Sequence, residues 1–362
     1  MSPRSEVPPR PEPHPPADQP IRVKFLSKDS QRDTTWRWRR HLPGGNPRIG
    51  RCLFLFDREE RHYDWLAVYD DLPSVAGERH TLWREPLACP REQTILLTAE
   101  PSSVKVYGRG FLRQFGWVLT SQEPWVIRHP RAIYHQTGEV WFYEGDYDEI
   151  AAHPPTGKTR LISTVCSSKR HGHTLHRLRY DFTQRLRQVL PELEVWGHGV
   201  RPMERKNVAL DPYRYHIAIE NHVSLHGWTE KLADAFLGLC LPFYFGAPNA
   251  ADYFPEESFI PIDIRDFEGT VETIRRAIRD NEYEKRLPAI REARRRVIEQ
   301  YATLVQLARI IEERTPANPP PPTPGAVILS RHAWRRSSPL RALAVGLEKA
   351  WVRLQLRLGR TG

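Results

Sequence analysis

The chain has 362 residues, of which 40% are hydrophobic and 27% charged, and its formal net charge is +10 at pH 7. This length is typical of about two domains, and such a chain can bury a core without disulfides or a metal. The four cysteines stand singly, which excludes a zinc ribbon or a disulfide framework and fits a reducing compartment.

The first twenty residues contain eight prolines and no apolar stretch. We therefore predict a disordered, proline-rich arm over residues 1–20 and no secretory signal peptide. No apolar run in the chain reaches the ~18 residues that a membrane-spanning helix requires.

Residues 21–150 contain short apolar runs that are typical of buried parallel strands. The runs are IRVKFL, CLFLF, WLAVY, TILLTAE and WVLTS, which begin at Ile21, Cys52, Trp65, Thr94 and Trp117. We predict a first Rossmann-like domain over residues 21–150, followed by a hinge, AAHPPTGK, at residues 151–158.

Two clusters near the hinge resemble metal ligands. Asp146-Tyr147-Asp148 has the spacing of a metal-binding DxD, but such acidic pairs are more typical of turns. His171, His173 and His176 have no carboxylate or thiol at suitable spacing, so a basic loop is the preferred interpretation. We predict no metal site.

Residues 159–315 alternate strand-like and helical segments. The strand-like runs are LISTVC, LEVWG, YHIAIEN, LPFYFG and FIPIDI. Helices are predicted from Thr174 to Val189 after LISTVC and from Thr229 after YHIAIEN, and a long charged helical region is predicted from about residue 269 to 313. The predicted fold class is α/β, with two Rossmann-like domains facing a cleft. Ligands of such sheets bind beyond the carboxyl ends of the strands.

A candidate anion site follows the first strand of this second domain. The segment SSKRHGHT offers Ser168 and Lys169 at the start of a helix, where the helix dipole favours negative charge, and Arg177 lies one turn further on. The alternative is that these charges only solvate the helix end.

A second candidate site lies between Tyr213 and Phe267. Asn221 ends a buried strand, and Glu230 and Lys231 open the next helix. A carboxylate and an ammonium group at such a position can bind ribose hydroxyls and a diphosphate. Residues of this kind are otherwise common on solvated helix ends.

Residues 159–281 resemble the C-terminal donor-binding domain of glycosyltransferase family 10, the α-1,3-fucosyltransferases, in their bacterial form. The shared pattern is a strand ending in Glu-Asn, then Thr-Glu-Lys, an apolar helix, a strand of the form Pro-x-Tyr-x-Gly, and Ser-Phe-Ile. The resemblance implies the two-domain GT-B arrangement, GDP-fucose held mainly by the second domain, and inverting transfer to a GlcNAc or glucose unit. It implies no metal or other cofactor.

The resemblance also implies roles for single residues. Arg177, in HRLRYDF, and Lys231 would neutralise the diphosphate, while Asn221 and Glu230 would contact the ribose region. In the first domain, TILLTAEP resembles the family's strand ending in Gly-Glu-Asn, which makes Glu100 the general base, although Ala and Pro replace its neighbours.

One aromatic donor contact of the family is altered. Members often carry tyrosine two residues before Thr-Glu-Lys, whereas this chain has Gly227 there and Trp228 beside it. Trp228 could stack on the base or sugar of the donor, or it could belong to the core.

The C-terminal region carries most of the positive charge. After a proline-rich linker at residues 316–330, residues 331–362 hold seven Arg and one Lys against one Glu. Residues 339–358 place leucines and a tryptophan at helical spacing among basic residues, which favours a helix on an anionic membrane surface. The alternative is docking on this protein or on a neighbour.

The sequence therefore predicts an inverting glycosyltransferase that is cytoplasmic and peripheral to the inner face of a membrane. Its expected partners are a nucleotide sugar, a glycan acceptor and an anionic membrane surface, and no nucleic acid is expected because the folded part is close to neutral. Two alternatives remain: the same fold with another nucleotide sugar, and a non-catalytic protein that binds carbohydrate or polyanions.

Overall fold

A computed structural model describes residues 19–28, 35–74, 78, 80–138, 140–141, 143–169 and 174–359, except for the side chains of residues 35 and 36. The predicted proline-rich arm, apart from its last two residues, lies outside this part of the chain. His171 and His173 lie outside it as well.

A mostly parallel sheet forms the centre of the first domain. The first eight strands are β1 (Ile21–Ser27), β2 (Arg48–Ile49), β3 (Cys52–Leu55), β4 (Trp65–Tyr69), β5 (Arg84–Pro86), β6 (Thr94–Leu97), β7 (Trp117–Thr120) and β8 (Ala132–Tyr134). Among the described residues, seven strands pair in the order β2-β3-β1-β4-β6-β7-β8, and only β2 runs antiparallel to its neighbour. All five predicted apolar runs are strands of this sheet.

A second parallel sheet forms the centre of the second domain. The remaining strands are β9 (Arg160–Val165), β10 (Leu193–Trp196), β11 (Tyr213–Ile219), β12 (Leu241–Phe245), β13 (Ile260–Pro261) and β14 (Val327–Leu329). Five of them pair in the order β10-β9-β11-β12-β13, all parallel in the described chain. The predicted α/β fold with two Rossmann-like sheets is confirmed.

Helices cover these sheets and connect their strands. They are α1 (Thr35–Arg39), α2 (Arg109–Leu112), α3 (Tyr147–Ala152), α4 (His176–Val189), α5 (Glu230–Leu237), α6 (Phe267–Arg279), α7 (Glu282–Glu299), α8 (Thr303–Arg314), α9 (Arg331–Arg336) and α10 (Pro339–Arg357). The predicted charged helical region thus consists of three helices, α6 to α8. None of the described helices is both long and apolar enough to cross a membrane.

The acidic turn before the hinge is a helix cap. The side chain of Asp146 accepts a hydrogen bond from the Glu149 amide at 2.9 Å, and the Glu149 carboxylate accepts one from the Asp146 amide at 3.1 Å. This reciprocal pair starts α3, whose last two residues lie within the predicted hinge. Asp146 is therefore engaged in local structure.

The chain returns to the first domain at α8, which differs from the predicted boundary at residue 315. Leu304, Leu307 and Ile311 are buried in one cluster with Val23 and Ile95 of the first sheet. The apolar face of α8 can be buried only against another apolar surface, and the first sheet supplies it.

The predicted linker and tail also belong to the first domain. β14 pairs antiparallel with β5 inside the predicted proline-rich linker. Val352 of α10 is buried in one cluster with Phe111 and Leu96, on the face of the first sheet opposite to α8. Helices on both faces explain why the strands of this sheet are continuously apolar.

Candidate functional site

A large cavity lies between the two sheets, at their carboxyl edges. Its volume is about 530 Å³. The residues after β4 and β6 supply Asp70 and Glu100 on one side, and the residues after β11 supply Glu220 and Asn221 on the other. Parallel strands end at the same edge of a sheet, so polar residues distant in sequence meet in this cavity.

A smaller cavity of about 270 Å³ adjoins it on the side of the second domain. In the described part of the chain, the two cavities share four lining residues, which are His176, Asn221, Glu230 and Lys231. A ligand with two parts could therefore fill the smaller cavity and extend into the larger one.

The N-terminus of α5 holds a network of fixed charges. Thr229 caps the helix, and the buried Glu220 carboxylate accepts hydrogen bonds from the Thr229 amide at 2.8 Å and from its hydroxyl at 2.7 Å. The Lys231 ammonium lies 2.8 Å from a Glu230 oxygen and 3.4 Å from a Glu220 oxygen. The sequence pattern predicted no role for Glu220, although Glu220 stands next to Asn221.

The charges of this network stabilise one another. Burial by itself would lower the pKa of Lys231, but Glu230 and Glu220 outweigh it and hold this pKa above its usual range. Burial would likewise raise the pKa of Glu230, but Lys231 and Lys206 lower it. Glu230 and Lys231 thus remain charged at neutral pH, beside both cavities.

Asn221 offers an acceptor where the two cavities meet. Its side-chain oxygen Oδ1 is buried and has no hydrogen-bond partner within the described part of the chain. Its backbone carbonyl accepts a hydrogen bond from the Leu175 amide at 3.0 Å, which ties the end of β11 to the start of α4. A buried acceptor without a partner is costly, so a ligand hydroxyl here would gain a hydrogen bond.

Among the described residues, the arginine that lines the smaller cavity is Arg179, whereas we predicted Arg177. The Arg177 side chain is 76% exposed, lies 3.7 Å from Asp181 and lines neither cavity. Arg179 is 7% exposed, its Nη1 donates a long hydrogen bond of 3.5 Å to the Ile219 carbonyl, and its Nε has no partner among the described residues. Residues two apart on a helix point in directions about 200° apart, so only one of them can face the cavity.

Of the serine and lysine in the predicted anion loop, only the lysine lines a cavity. Lys169 lines the smaller cavity, whereas Ser168 is exposed and lines neither cavity. The Ser168 amide donates to the His198 carbonyl at 3.0 Å, and the preceding Ser167 lines the cavity instead. The prediction was one residue off at this serine.

Trp228 lines the larger cavity but belongs to the core. Its side chain is 1% exposed, and it makes edge contacts with the rings of Tyr253, Phe254 and Tyr301 at 4.9 to 5.5 Å between centroids. Of the two interpretations given from sequence, the structure favours core packing over stacking on a ligand.

Glu100 lines the larger cavity from the first domain. The Gln122 side chain donates to the Glu100 carbonyl at 2.6 Å and fixes the backbone there. Partial desolvation, together with the negative charges of Asp70 and Glu230, raises the pKa of Glu100 above its ordinary value. Glu100 and Lys231 therefore share one cavity, as the sequence predicts, whereas Arg177 does not join them.

Polar contacts hold the two domains together around this cavity. His222, which lines it, lies 3.0 Å from the Glu123 carboxylate of the first domain, and Glu123 also accepts a hydrogen bond from Ser102. The Gln136 side chain donates to the Trp228 carbonyl at 3.3 Å. The facing walls are thereby fixed in the arrangement described.

The similarity to a known protein family lies in the second domain. Residues 155–283 match the family described as glycosyltransferase family 10 (fucosyltransferase) C-term. Over 80 residues the chain is 30% identical to the alpha-(1,3)-fucosyltransferase FucT of Helicobacter pylori. This matched stretch is 22% of this chain and 16% of that relative. The chain thus spans about one sixth of the length of this curated relative.

Solved structures that are similar to this one include the crystal structure of an alpha1,3-fucosyltransferase with GDP-fucose. The TM-score is 0.47 at 14% identity, over 79% of this chain and 84% of that one. The GtfA/B complex gives a TM-score of 0.37 at 10% identity, over 69% and 57%.

The family match covers β9 to α6, which are the elements that carry Asn221, Glu230 and Lys231. It agrees with the resemblance seen in the sequence over residues 159–281. Residues 155–283 of this protein are therefore similar to the C-terminal domain of glycosyltransferase family 10.

Proposed function

We propose that this protein is an inverting glycosyltransferase that transfers fucose from GDP-fucose to a hydroxyl of a glycan containing GlcNAc or glucose. The observation that carries the proposal is one cavity that is lined by Glu100 from the first domain and by the charged N-terminus of α5 from the second. The family description names fucosyl transfer, and GDP-fucose is taken as the donor on that basis.

The smaller cavity would hold the nucleotide. Arg179 and Lys231 supply two positive charges toward a diphosphate, and the N-terminus of α5 adds the helix dipole. Asn221 and Glu230 supply acceptors for ribose hydroxyls. The sugar would then extend into the larger cavity, toward Glu100.

The reaction would be a single displacement at the anomeric carbon. Glu100 takes the proton of the acceptor hydroxyl while the oxygen forms its bond to that carbon, and the bond to the diphosphate breaks on the opposite face. General-base assistance contributes about 10²–10⁴-fold. The fixed cations stabilise the charge that grows on the departing GDP, so the proposal requires no metal ion or other cofactor.

Binding to an anionic membrane through α10 is a separate part of the proposal. Leu340, Leu343, Leu347, Leu354 and Leu358 are exposed, and Arg341, Arg353 and Arg357 stand among them. These leucines point away from the body, since the buried Val345 and Val352 occupy the opposite face of the helix. On this basis we propose a cytoplasmic location at the inner face of a membrane.

Transfer to simple acceptors tests the proposed activity. The purified chain is incubated with GDP-fucose, GDP-mannose or UDP-GlcNAc, each with lactose or N-acetyllactosamine, and products are identified by mass spectrometry and by the anomeric coupling in NMR spectra. We expect a fucosylated product of inverted configuration from GDP-fucose, and none from Glu100→Gln. A product formed only from another donor contradicts the proposed donor. The melting temperature of the protein is also measured with each nucleotide. If no nucleotide raises it, the proposed function is contradicted.

A further inference from the structure

Asp70 and Glu100 follow two neighbouring strands of the first sheet. Asp70 directly follows β4, and Glu100 lies three residues after the end of β6, which pairs with β4 in parallel. Both residues line the larger cavity. Two carboxylates thus stand near each other at the same edge of the first sheet.

Two donors from one loop hold the Asp70 carboxylate. Its Oδ1 accepts a hydrogen bond from Lys105 Nζ at 2.6 Å and another from the Tyr107 hydroxyl at 2.7 Å. The φ angle of Asp70 is 71°, in the left-handed region that asparagine and aspartate enter more readily than most other residues. Such conformations persist where the surroundings fix them, and they cluster at functional sites.

The same loop carries Glu100. The Gln122 side chain donates to the carbonyls of Glu100 and Lys105 at 2.6 and 2.9 Å, and the Tyr107 hydroxyl accepts from the Ala99 amide at 2.9 Å. Lys105 is therefore held close to Glu100 but is turned to Asp70. Within the described chain the Glu100 carboxylate has no hydrogen bond or ion pair.

Glu100 is surrounded by charges of both signs. Asp70 and Glu230 raise its pKa, whereas Lys105 and Lys231 lower it. Lys28 and Arg37 line the same cavity from the end of β1 and from α1. Lys105 is the cation on the loop of Glu100 itself, and its four-carbon stem is flexible, so its pairing decides how basic Glu100 remains.

We propose that Asp70 is a positioning residue that holds Lys105 away from Glu100 and so keeps the Glu100 carboxylate unpaired for proton transfer. The inference rests on the proposed role of Glu100 as general base. If Lys105 were released, it would pair with Glu100, lower its pKa and weaken it as a base. The two residues thus act through Glu100, without contacting the substrate.

A double-mutant cycle tests this mechanism. Asp70→Asn keeps an acceptor for Tyr107 and tolerates the left-handed backbone, but it removes the charge that holds Lys105. We expect at least a tenfold loss of kcat at neutral pH and an acid limb of the pH profile that moves to lower pH. Lys105→Gln alone should move the acid limb to higher pH. The double variant should recover kcat to within about threefold of the wild type.

Recovery in the double variant distinguishes release of Lys105 from simple structural damage. A double variant as slow as Asp70→Asn, or acid limbs that do not move in opposite directions, would overturn the inference. GDP affinity and thermal melting are measured for each variant and show whether it is folded.

A second measurement does not depend on transfer. The pKa of Glu100 is followed through its carboxyl ¹³C NMR signal, assigned by comparison with Glu100→Gln. We expect a lower pKa in Asp70→Asn and a higher pKa in Lys105→Gln, and equal pKa values in all variants would overturn the inference. Absence of transfer by the wild type would contradict the proposed function instead.

Discussion

At the scale of single residues, the proposed donor site depends on which arginine faces the smaller cavity. Arg179 is buried there with an Nε that has no partner in the described chain, whereas Arg177 is exposed beside Asp181. A buried guanidinium without a carboxylate partner is costly unless a ligand anion compensates it. The pair therefore provides a test in which one variant serves as the control for the other.

We expect Arg179→Gln to weaken GDP binding about 10- to 100-fold, because it removes a charge-assisted hydrogen bond of about 1.5–3 kcal/mol. Arg177→Gln, on the same helix, should change the affinity less than threefold. Isothermal titration calorimetry with GDP measures both, and thermal melting checks that each variant is folded. A larger loss in the Arg177 variant would contradict the placement of Arg179.

Glu100→Gln should leave the affinity for GDP within about twofold and reduce transfer about 10²–10⁴-fold, because it removes only the proton acceptor. The wild type should lose activity as the pH falls, because the carboxylate must be unprotonated to act. Since the pKa of Glu100 is raised, this acid limb should lie above the ordinary glutamate value of about 4.3. A pH profile that is identical in the glutamine variant would argue against a general base at this position.

At the scale of elements, α10 has two faces with different surroundings. Val352 packs into the first domain, the Glu348 carboxylate accepts a hydrogen bond from the Arg109 amide at 3.0 Å, and Trp351 makes an edge contact with Trp125. The leucines of the opposite face are exposed. The two alternatives drawn from the sequence, docking on the body and binding a membrane, therefore concern different faces of one helix.

We expect Leu347→Glu to reduce co-sedimentation with vesicles of anionic lipid about tenfold, because Leu347 is 63% exposed on the outward face. Ala342→Glu makes the same change of charge without removing a large apolar side chain, and it should have a smaller effect. Equal losses in both variants would mean that charge alone drives the binding. No loss in either would remove the membrane proposal.

At the scale of the whole molecule, the first domain is completed by the C-terminal part of the chain. α8 covers one face of the first sheet, α10 covers part of the other, and β14 pairs with β5. The Arg331 amide also donates to the Asp71 carboxylate at 3.0 Å, next to Asp70. The tail therefore supports the same edge of the sheet that lines the cavity.

Val352→Asp should lower the free energy of unfolding by about 3 kcal/mol, because it places a charge without a partner among buried apolar residues. Leu358→Asp, directly after the same helix at a side chain that is 72% exposed, should change it by less than about 0.5 kcal/mol. Urea unfolding followed by circular dichroism measures both. Equal stability of the two variants would show that α10 is not part of the folded first domain.

The sequence alone determined the features that depend on local pattern. The five apolar runs of the first domain, the alternation of strands and helices in the second, and the Thr-Glu-Lys start of α5 were all readable because strand and helix periodicity is local. The strand and helix pattern also identified Asn221, Glu230 and Lys231, and the resemblance to glycosyltransferase family 10 added Glu100 from the other domain.

Only the tertiary structure decided which side chains face the cavity and which elements complete each domain. The choice between Arg177 and Arg179 depends on the rotation of α4 about its axis, which the packing of its apolar face sets. The return of α8 and of the tail to the first sheet joins segments more than two hundred residues apart, and no local pattern encodes such a pairing. The contact of Asp70 with Lys105 likewise arises only when β4 and β6 lie side by side.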